Sequence, residues 1–519
     1  MPRDTEDNPR TTPMTRTAPA VSVIVPVHNT LPYLDRCLES VFAQTLHPDR
    51  IEIIAVDDGS TDGSADRLAD TARRNPRLTV VHQPPSGGPG KPRNTGLARA
   101  TGDYVFFLDS DDRLGPEALD RLTRMAQTHG SDVVYGRIVG ADGRAAPVDL
   151  RTTNPAVSVF DSPVYWSLAA YKLFRRAFLE THHLRFVEGR LLGEDLPFGI
   201  AALLRARTVS VLADYDCYYL HGRADDSNAS RQDVDWPDYL HCIGGVLDTV
   251  AAEVPPGPDR DKLMTRHFHG EILMPFGPAY LARTPAERRR MTAAARPLVR
   301  RHLTDRIRAA LPPRLRLRAH CLDAGLDDAL TAVVRADTGP VPTQVDPDGR
   351  IHARYPYFRD PHHPLPDAAY DLTDRVVLRQ RLTGCHWTGT VLQLTGTAAL
   401  PHLDTTAVTL VLHRAGATHR LPVHYADGHW RAALAPATAA GGAPLGDGLW
   451  GLKIDVTGHG TTTDGDRGPA VHRVAWLVPE TTPSAADLAP RPLPPGPATA
   501  ALFLSDPHGH LHLRLTAPE

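Results

Sequence analysis

Ten residues, Asp103 to Asp112 (DYVFFLDSDD), constrain this chain more than any other stretch. An apolar, aromatic run feeding into four polar residues reads as a buried strand that delivers acids to its carboxyl end. Asp109 and Asp111, two positions apart on the turn that ends the strand, can both face a hard divalent cation, which takes oxygen ligands and commonly also holds substrate phosphates. Standing alone, such a turn is usually only solvated. Its neighbours argue otherwise.

Val21 to Val27 (VSVIVPV) is an apolar β-branched run ending in His28-Asn29. Behind it, Thr30 as a cap, Pro32 in the first turn and an apolar face of Leu34, Cys37, Leu38, Val41 and Phe42 predict a helix. Ile51 to Val56 repeats the unit, ending in Asp57-Asp58-Gly59-Ser60 before a helix with Ala65, Leu68, Ala69 and Ala72 on its apolar side. Leu78 to Val81 predicts a third, shorter strand. Alternating strands and helices imply a mainly parallel sheet, and ligands of such sheets collect beyond the strand carboxyl ends. His28/Asn29, Asp57/Asp58 and Asp109/Asp111 then share one rim. Asp57 or Asp58 can accept from a base or ribose, although capping the next helix is the plainer use of either.

The segment SGGPGKPRNTGLARATG lies before the acidic strand. Gly87, Gly88 and Gly90 permit a close backbone approach, Pro92 suits a first helical turn and Gly102 a helix stop. A helix amino terminus with Lys91 and Arg93 beside it makes a site for a diphosphate. A helix from Pro116, a strand from Asp132 to Val139 and an aperiodic, acceptor-facing stretch from 141 to 162 follow. In GEDLPFGIAALL, Glu194-Asp195 opens an apolar helix; acids there are often only dipole-stabilised, and at the rim Asp195 is a candidate general base. YYLHGRADDSNAS carries His221, Arg223, Ser227, Asn228 and Ser230 on a loop able to close over phosphates, or to serve as a solvated linker.

In order and spacing, VSVIVPVHN, VDDGSTDGS, KPRNTGLARATGDYVFFLDSDD and GEDLPF, over residues 20 to 231, resemble the family 2 glycosyltransferases of the GT-A fold. The resemblance implies inverting transfer of a sugar from a nucleotide diphosphate donor with Mn2+ or Mg2+. It implies that Pro26, Asp57 and Asp58 lie at the nucleoside, that Arg93 lies near the donor, that Asp109 and Asp111 form the metal-binding D-x-D, and that Asp195 is the base beside Glu194. The donor set expected on this rim comprises Pro26, Val27, His28, Asn29, Asp57, Asp58, Lys91, Arg93, Asn94 and Ser110, with His221, Arg223, Ser227 and Ser230 from the loop. No QxxRW motif follows the ED pair, which favours single additions over processive polymerisation. The KPRN form, the HGRADDSNAS loop and a helical linker before a β-rich tail more narrowly resemble polyribitol-phosphate N-acetylglucosaminyltransferases of wall teichoic acid. A UDP-sugar, with UDP-GlcNAc favoured, is then the expected donor and a polyol-phosphate polymer or glycan the acceptor. Two rivals remain: a nucleotidyltransferase, which would normally show a basic Gly-rich loop where this chain has PVHNT, and a non-catalytic carbohydrate-binding protein, against which the intact Asp109, Asp111 and Asp195 speak.

The expected domains are a polar leader (1–19), the GT-A domain (20–235), a helical linker (236–345) and an antiparallel β-sandwich (346–519) for binding or self-association. Thr284 to Glu287 is a capping-box start for a helix running to Pro312-Pro313. Between Arg283 and Arg318 lie twelve arginines and two acids, a local +10 in a chain of net charge -3. With no aromatics interleaved, that surface suits a phosphate polymer or anionic lipid rather than nucleic acid, unless it is a solvated face. Beyond Asp346 the period becomes two, in Val408/Leu410/Leu412, Leu421/Val423/Tyr425 and Leu452/Ile454/Val456, with turns at Asp348-Gly349, Asp427-Gly428 and Asp464-Gly465. His508, His510 and His512 read as exposed strand residues before they read as a metal site. Five scattered cysteines fit a reducing compartment, and no apolar run reaches the roughly 18 residues of a membrane span. These features predict a cytoplasmic protein, peripheral at the inner face of the membrane through its arginines.

Overall fold

The computed structural model describes residues 19–190, 192–223, 235–362, 365–461, 466–493, 498–505 and 509–516. The expected leader, Ser227, Asn228, Ser230, the Asp464-Gly465 turn and His508 lie outside the described residues. The chain divides into two compact units, Met1–Pro275 with Pro285–Ala310, and Phe276–Thr284 with Leu311–Glu519.

The first unit runs β1 (Val21–Val27), α1 (Leu31–Phe42), β2 (Ile51–Asp57), α2 (Ser64–Arg74), β3 (Leu78–His82), α3 (Gly90–Leu97), β4 (Tyr104–Phe107), β5 (Arg113–Leu114), α4 (Ala118–His129), β6 (Val133–Ala141), β7 (Leu173–Arg175), α5 (Arg176–Thr181), α6 (Leu196–Arg205) and β8 (Val209–His221). Its eight-stranded sheet has the order β3-β2-β1-β4-β7-β6-β8-β5. β1 pairs in parallel with β2 and β4, with Val21 opposite both Ile51 and Tyr104. Every residue of β1 is buried, as a parallel strand covered on both faces requires, and its near-continuous apolar sequence follows from that. The chain winds from β1 outward through β2 and β3, then returns to place β4 on the other side of β1. That reversal opens a crevice at the carboxyl ends of β1 and β4, where His28 and Asp109 to Asp111 emerge. β7 runs antiparallel to both β4 and β6, so the sheet is mixed beyond β4.

Gly102 does not stop α3, which ends at Leu97 with Ala98 N-H donating to Asn94 O and Arg99 N-H to Gly96 O. It marks instead the point where the chain presses against β1, since a Cβ at 102 would sit 2.7 Å from Ser22 N.

The helical region comprises α7 (Trp236–Glu253), α8 (Pro258–His267), a π-helical turn (Phe268–Leu273), α9 (Pro278–Leu281), α10 (Pro285–His302), α11 (Asp305–Ala310), α12 (Pro313–Ala324) and α13 (Asp327–Ala336). α10 ends at His302, short of Pro312, because Thr304 starts a new helix: its Oγ1 accepts from Ile307 N at 3.2 Å. The arginines are divided between the units and many are engaged internally. Arg290, Arg301 and Arg306 pair with Asp235, Asp248 and Asp261 in the first unit. In the second, Arg318 is 2% exposed and paired with Asp337, while Arg316 donates to the carbonyls of Ala368 and Asp371. No helix among the described residues is long and apolar enough to cross a membrane.

Among the described residues the rest of the second unit is two sheets of nine and four strands, antiparallel apart from the Thr461–Gln344 pair. The strand Gly448–Thr461 organises the larger, pairing with Asp404–Arg414, Arg467–Trp476 and His510–Thr516. Trp450, Leu452, Ile454 and Val456 are buried along it at the expected period of two. Asp427 and Gly428 both adopt positive φ (48° and 79°), as a two-residue hairpin turn demands. His510 stacks on Trp476 at 4.8 Å, and the His512 ring lies 5.2 Å from the same indole.

Candidate active site

At the crevice lies a cavity of about 540 Å3. Its walls come from the end of β1 (Pro26, Val27, His28), from Asp58 after β2, from the Gly87 to Pro92 loop with Arg93, and from Asp109, Ser110 and Asp111 after β4. Ala169 to Tyr171, Arg144, Leu192 to Asp195 and Arg223 complete it. Segments separated by more than a hundred residues thus meet in one place. The loop can approach because Gly90 carries no side chain: a Cβ there would lie 2.0 Å from Val187 O.

Arg93 ties the acids together. From the first turn of α3 its Nη1 donates to Glu194 Oε1 at 2.7 Å and its Nη2 to Asp109 Oδ1 at 2.8 Å, with the side chain 6% exposed. A planar guanidinium can bind two carboxylates through separate nitrogens in this way; an ammonium cannot hold the same geometry. Burial pulls the Arg93 pKa down, but the charges of Asp109 and Glu194 outweigh it, so the group stays cationic. Glu194 is pushed up to about 7 by burial and then by the charge of Asp195, against the pull of Arg93. Burial also raises Asp195, with Arg93 and Lys172 drawing it back. Asp195 stands at the amino-terminal boundary of α6, where its carbonyl accepts from Gly199 N at 2.8 Å, yet its carboxylate makes no capping bond. It lines the cavity instead.

The four residues of the DSDD turn divide their work. Asp111 Oδ2 accepts from Arg223 Nε at 2.8 Å, and its carbonyl accepts from Arg36 Nη2 at 3.0 Å. Asp112, 1% exposed, accepts from Tyr218 Oη at 2.6 Å and from His221 N at 2.7 Å, which pins the end of β8 to the turn. Burial and the two neighbouring aspartates hold its carboxyl well above the usual range.

Of the other residues expected at the site, Asp58 lines the cavity while holding the loop above it, accepting from Gln83 Nε2 at 2.6 Å and Ser86 Oγ at 2.8 Å. His28 lines it with Nδ1 2.9 Å from Asp58 O. Asp57 does not: its carboxylate accepts from Ser60 N at 3.2 Å and lies 3.2 Å from His82 Nδ1. Asn29, at φ 51°, accepts from Thr61 N; Asn94 exchanges bonds with the Phe186 backbone at 2.9 Å; the His221 ring is 2.7 Å from Asp142. These three and the exposed Lys91 stay outside the cavity lining. Sequence reasoning missed Lys172, 3% exposed, whose Nζ donates to Ala169 O and lies 4.5 Å from the Tyr135 ring centroid. Burial lowers it to about 7, although Asp195 draws it upward. The signal was a lone lysine in the apolar run YWSLAAYKLF.

Asp109 and Asp111 offer the oxygen donors a hard divalent cation takes, on the wall of a cavity, and Mg2+ commonly binds through one or two carboxylates with phosphates and water supplying the rest. Chemically the pair fits Mn2+ or Mg2+.

Residues 22–192 match the family described as Glycosyl transferase family 2, and residues 237–334 the Glycosyl transferase TarS linker domain. A poly(ribitol-phosphate) beta-glucosyltransferase of Bacillus spizizenii is 35% identical over 254 residues, 48% of this chain and 40% of that one. Poly(ribitol-phosphate) beta-N-acetylglucosaminyltransferase TarS of Staphylococcus aureus is 35% identical over 252 residues, 48% of this chain and 44% of that one. The matches therefore span less than half the length of these relatives. The crystal structure of S. aureus TarS shares the fold with a TM-score of 0.71 over 96% of this chain and 85% of that chain, at 22% identity. The structure of S. aureus TarS 1-349 in complex with UDP-GlcNAc gives a TM-score of 0.58 at 27% identity, covering 65% of this chain and 97% of that one. Residues 22–192 thus carry a Glycosyl transferase family 2 domain and residues 237–334 a TarS linker domain.

Proposed function

We propose that the protein moves one sugar from a UDP-sugar, UDP-GlcNAc before others, to a hydroxyl of a poly(ribitol phosphate)-like polymer, with inversion and with Mn2+ or Mg2+. The observation that carries this reading is the Arg93 bridge, which joins the first acid of the D-x-D to the ED pair across one cavity. The relatives that act on poly(ribitol phosphate) and the likeness to a UDP-GlcNAc complex support the substrates.

A polyol hydroxyl is a weak nucleophile, so Asp195 takes its proton as it attacks the anomeric carbon. A carboxyl raised by burial suits that task, because its proton affinity lies nearer the working pH. A divalent cation held by Asp109 and Asp111 would act as Lewis acid toward the departing diphosphate. Arg93 fixes Asp109 and Glu194 in register, and Asp58 holds the Ser86 to Gly88 loop over the nucleotide. With no nucleophilic side chain taking part, a single displacement inverts the anomeric centre. We assign the reaction to the cytoplasmic side of the membrane, with the exposed Arg289 and Arg300 of α10 as the contact for an anionic surface or polymer and the carboxyl-terminal sheets for binding or self-association.

The test is a screen of UDP-GlcNAc, UDP-glucose and other nucleotide sugars against poly(ribitol phosphate), following nucleotide release and the anomeric configuration of the product. A β-linked product from an α-linked UDP-sugar, dependent on a divalent cation, is expected. Retention of configuration, or release from none of the donors, would overturn the reading.

A further inference from the structure

A buried polar chain joins the helical region to the wall of the cavity. His267, the last residue of α8 and within residues 237–334, is 0% exposed, and its Nε2 lies 2.8 Å from Tyr165 Oη. Its Nδ1 is 3.1 Å from Glu271 Oε2, and Glu271 Oε1 accepts from Arg266 Nη1 at 2.6 Å. Burial would raise Glu271, but His267 and Arg266 hold it below its usual value, so the carboxylate is ionised and only accepts. Nδ1 therefore carries the proton, Nε2 is left as an acceptor, and the Tyr165 hydroxyl donates to it. Arg266 Nη1 also stands 3.2 Å from Nδ1, but the opposite tautomer would turn the lone pairs of Nδ1 and Oε2 toward each other. Burial lowers the His267 pKa, which keeps the imidazole neutral in this role.

Tyr165 belongs to a 3-10 turn, Pro163–Trp166, whose chain runs on directly into Ala169, Ala170 and Tyr171 of the cavity wall. This segment is held from three sides. Tyr135 Oη of β6 lies 3.0 and 2.9 Å from the carbonyls of Val164 and Ser167. Gly199 of α6 lets the Leu168 carbonyl in, since a Cβ there would sit 2.3 Å from it. His267 takes the third side. α6 is the helix that Asp195 opens, with Gly199 N on the Asp195 carbonyl, so wall and base rest on the same helical turn. The π-helical turn Phe268–Leu273 brings Glu271 back under Arg266, five residues earlier. Such turns are rare and frequent at functional sites. Because the acceptor hydroxyl gives its proton to Asp195, the acceptor occupies this flank and the nucleotide the other, beside Pro26 and Asp58.

We propose that His267 is a positioning residue for the acceptor: through Tyr165 it holds the Ala169 to Tyr171 wall at the spacing that admits a polyol-phosphate chain beside Asp195, touching neither substrate itself. The inference rests on the reading of Asp195 as base and of such a polymer as acceptor. An apolar pair would fill the same space without the desolvation that a buried hydroxyl, imidazole and carboxylate require. A directed O–H to N bond instead fixes distance and angle, and a fully satisfied buried network specifies one arrangement of the wall. The helical region then forms part of the site.

The test uses the full chain with UDP-GlcNAc, poly(ribitol phosphate) and Mn2+. Tyr165→Phe removes one oxygen and keeps the ring and its packing. It is expected to raise acceptor KM about fivefold, the scale of one lost hydrogen bond, with UDP affinity within about twofold of wild type. His267→Gln, whose amide offers an acceptor to Tyr165 and a donor to Glu271, is expected to recover most of the loss seen in His267→Leu. Tyr165→Phe added to His267→Leu should cost nothing further, since both break the same bond. A lower Tm with acceptor KM unchanged, an equal loss of UDP affinity and acceptor KM, or His267→Gln no better than His267→Leu would overturn the proposal. If His267→Leu does not fold, Tyr165→Phe alone decides. Wild-type protein that transfers nothing to poly(ribitol phosphate) would defeat the functional reading and this inference with it, so the two failures are told apart.

Discussion

Replacing Arg93 by lysine keeps the charge and removes the fork. In the native arrangement two nitrogens of one planar group satisfy Glu194 at 2.7 Å and Asp109 at 2.8 Å. A hydrogen bond to a charged group contributes roughly 1.5–3 kcal/mol, and an ammonium at the end of a shorter reach retains one of the two at best. The expected loss is thus about 2 kcal/mol of alignment, or roughly thirtyfold in kcat/KM. The Asp109 side chain is 33% exposed and water recovers part of its interaction, so the loss falls mainly on Glu194, which is 7% exposed. With its hydrogen bond from the guanidinium lost, Glu194 takes up a proton more readily. Arg93→Met removes both bonds and leaves a buried carboxylate unmatched, a change that costs about 3 kcal/mol or more of stability. The assay is UDP release at saturating acceptor, paired with calorimetry of UDP binding. A folded Arg93→Lys variant within threefold of wild type in kcat/KM would refute the view that this bridge aligns the site.

Two further outcomes follow from the same geometry. Asp111→Ala should weaken Mn2+-dependent UDP binding more than tenfold, about 1.4 kcal/mol, while binding in the presence of a chelator stays as it was; calorimetry showing unchanged affinity with Mn2+ would contradict the cation's assignment. The second concerns pH. Glu194 moves from 4.5 to about 7 on folding, so between those values the folded chain holds a proton that the unfolded chain has lost. Its contribution to stability is complete below about 4.5 and is lost as pH rises through about 7. Glu194→Gln should flatten the stability curve over that window, and denaturation midpoints with an unaltered pH slope would count against it.

The rim was legible because parallel strands buried on both faces write themselves as continuous apolar runs, and β1, β2 and β4 each end in polar residues. Which acid does what was not legible. Asp112 directly follows Asp111 in sequence, but its partners Tyr218 and His221 are supplied from over a hundred residues away, and only the fold reveals them. Asp57 and Asp58 are adjacent in sequence; one carboxylate is taken up by the Ser60 turn and His82, the other by the cavity loop. Lys172 vanished into an apolar pattern, a lone charge in YWSLAAYKLF whose burial only the fold reveals. How the arginine-rich segment is engaged was not legible for a related reason. Charge density along a sequence says nothing about which acids the fold brings opposite, and Asp235, Asp248, Asp261 and Asp337 each take one arginine.

The central claim is that Asp195, lining the same cavity as Asp109 and Asp111, removes the acceptor proton. Its most direct test is Asp195→Asn, a change of one atom that keeps size and leaves the donor side of the cavity intact. UDP release with UDP-GlcNAc, poly(ribitol phosphate) and Mn2+ should fall at least a thousandfold, on the order of 4 kcal/mol in the barrier, with calorimetric UDP affinity within threefold of wild type. Full turnover by that variant would contradict the account.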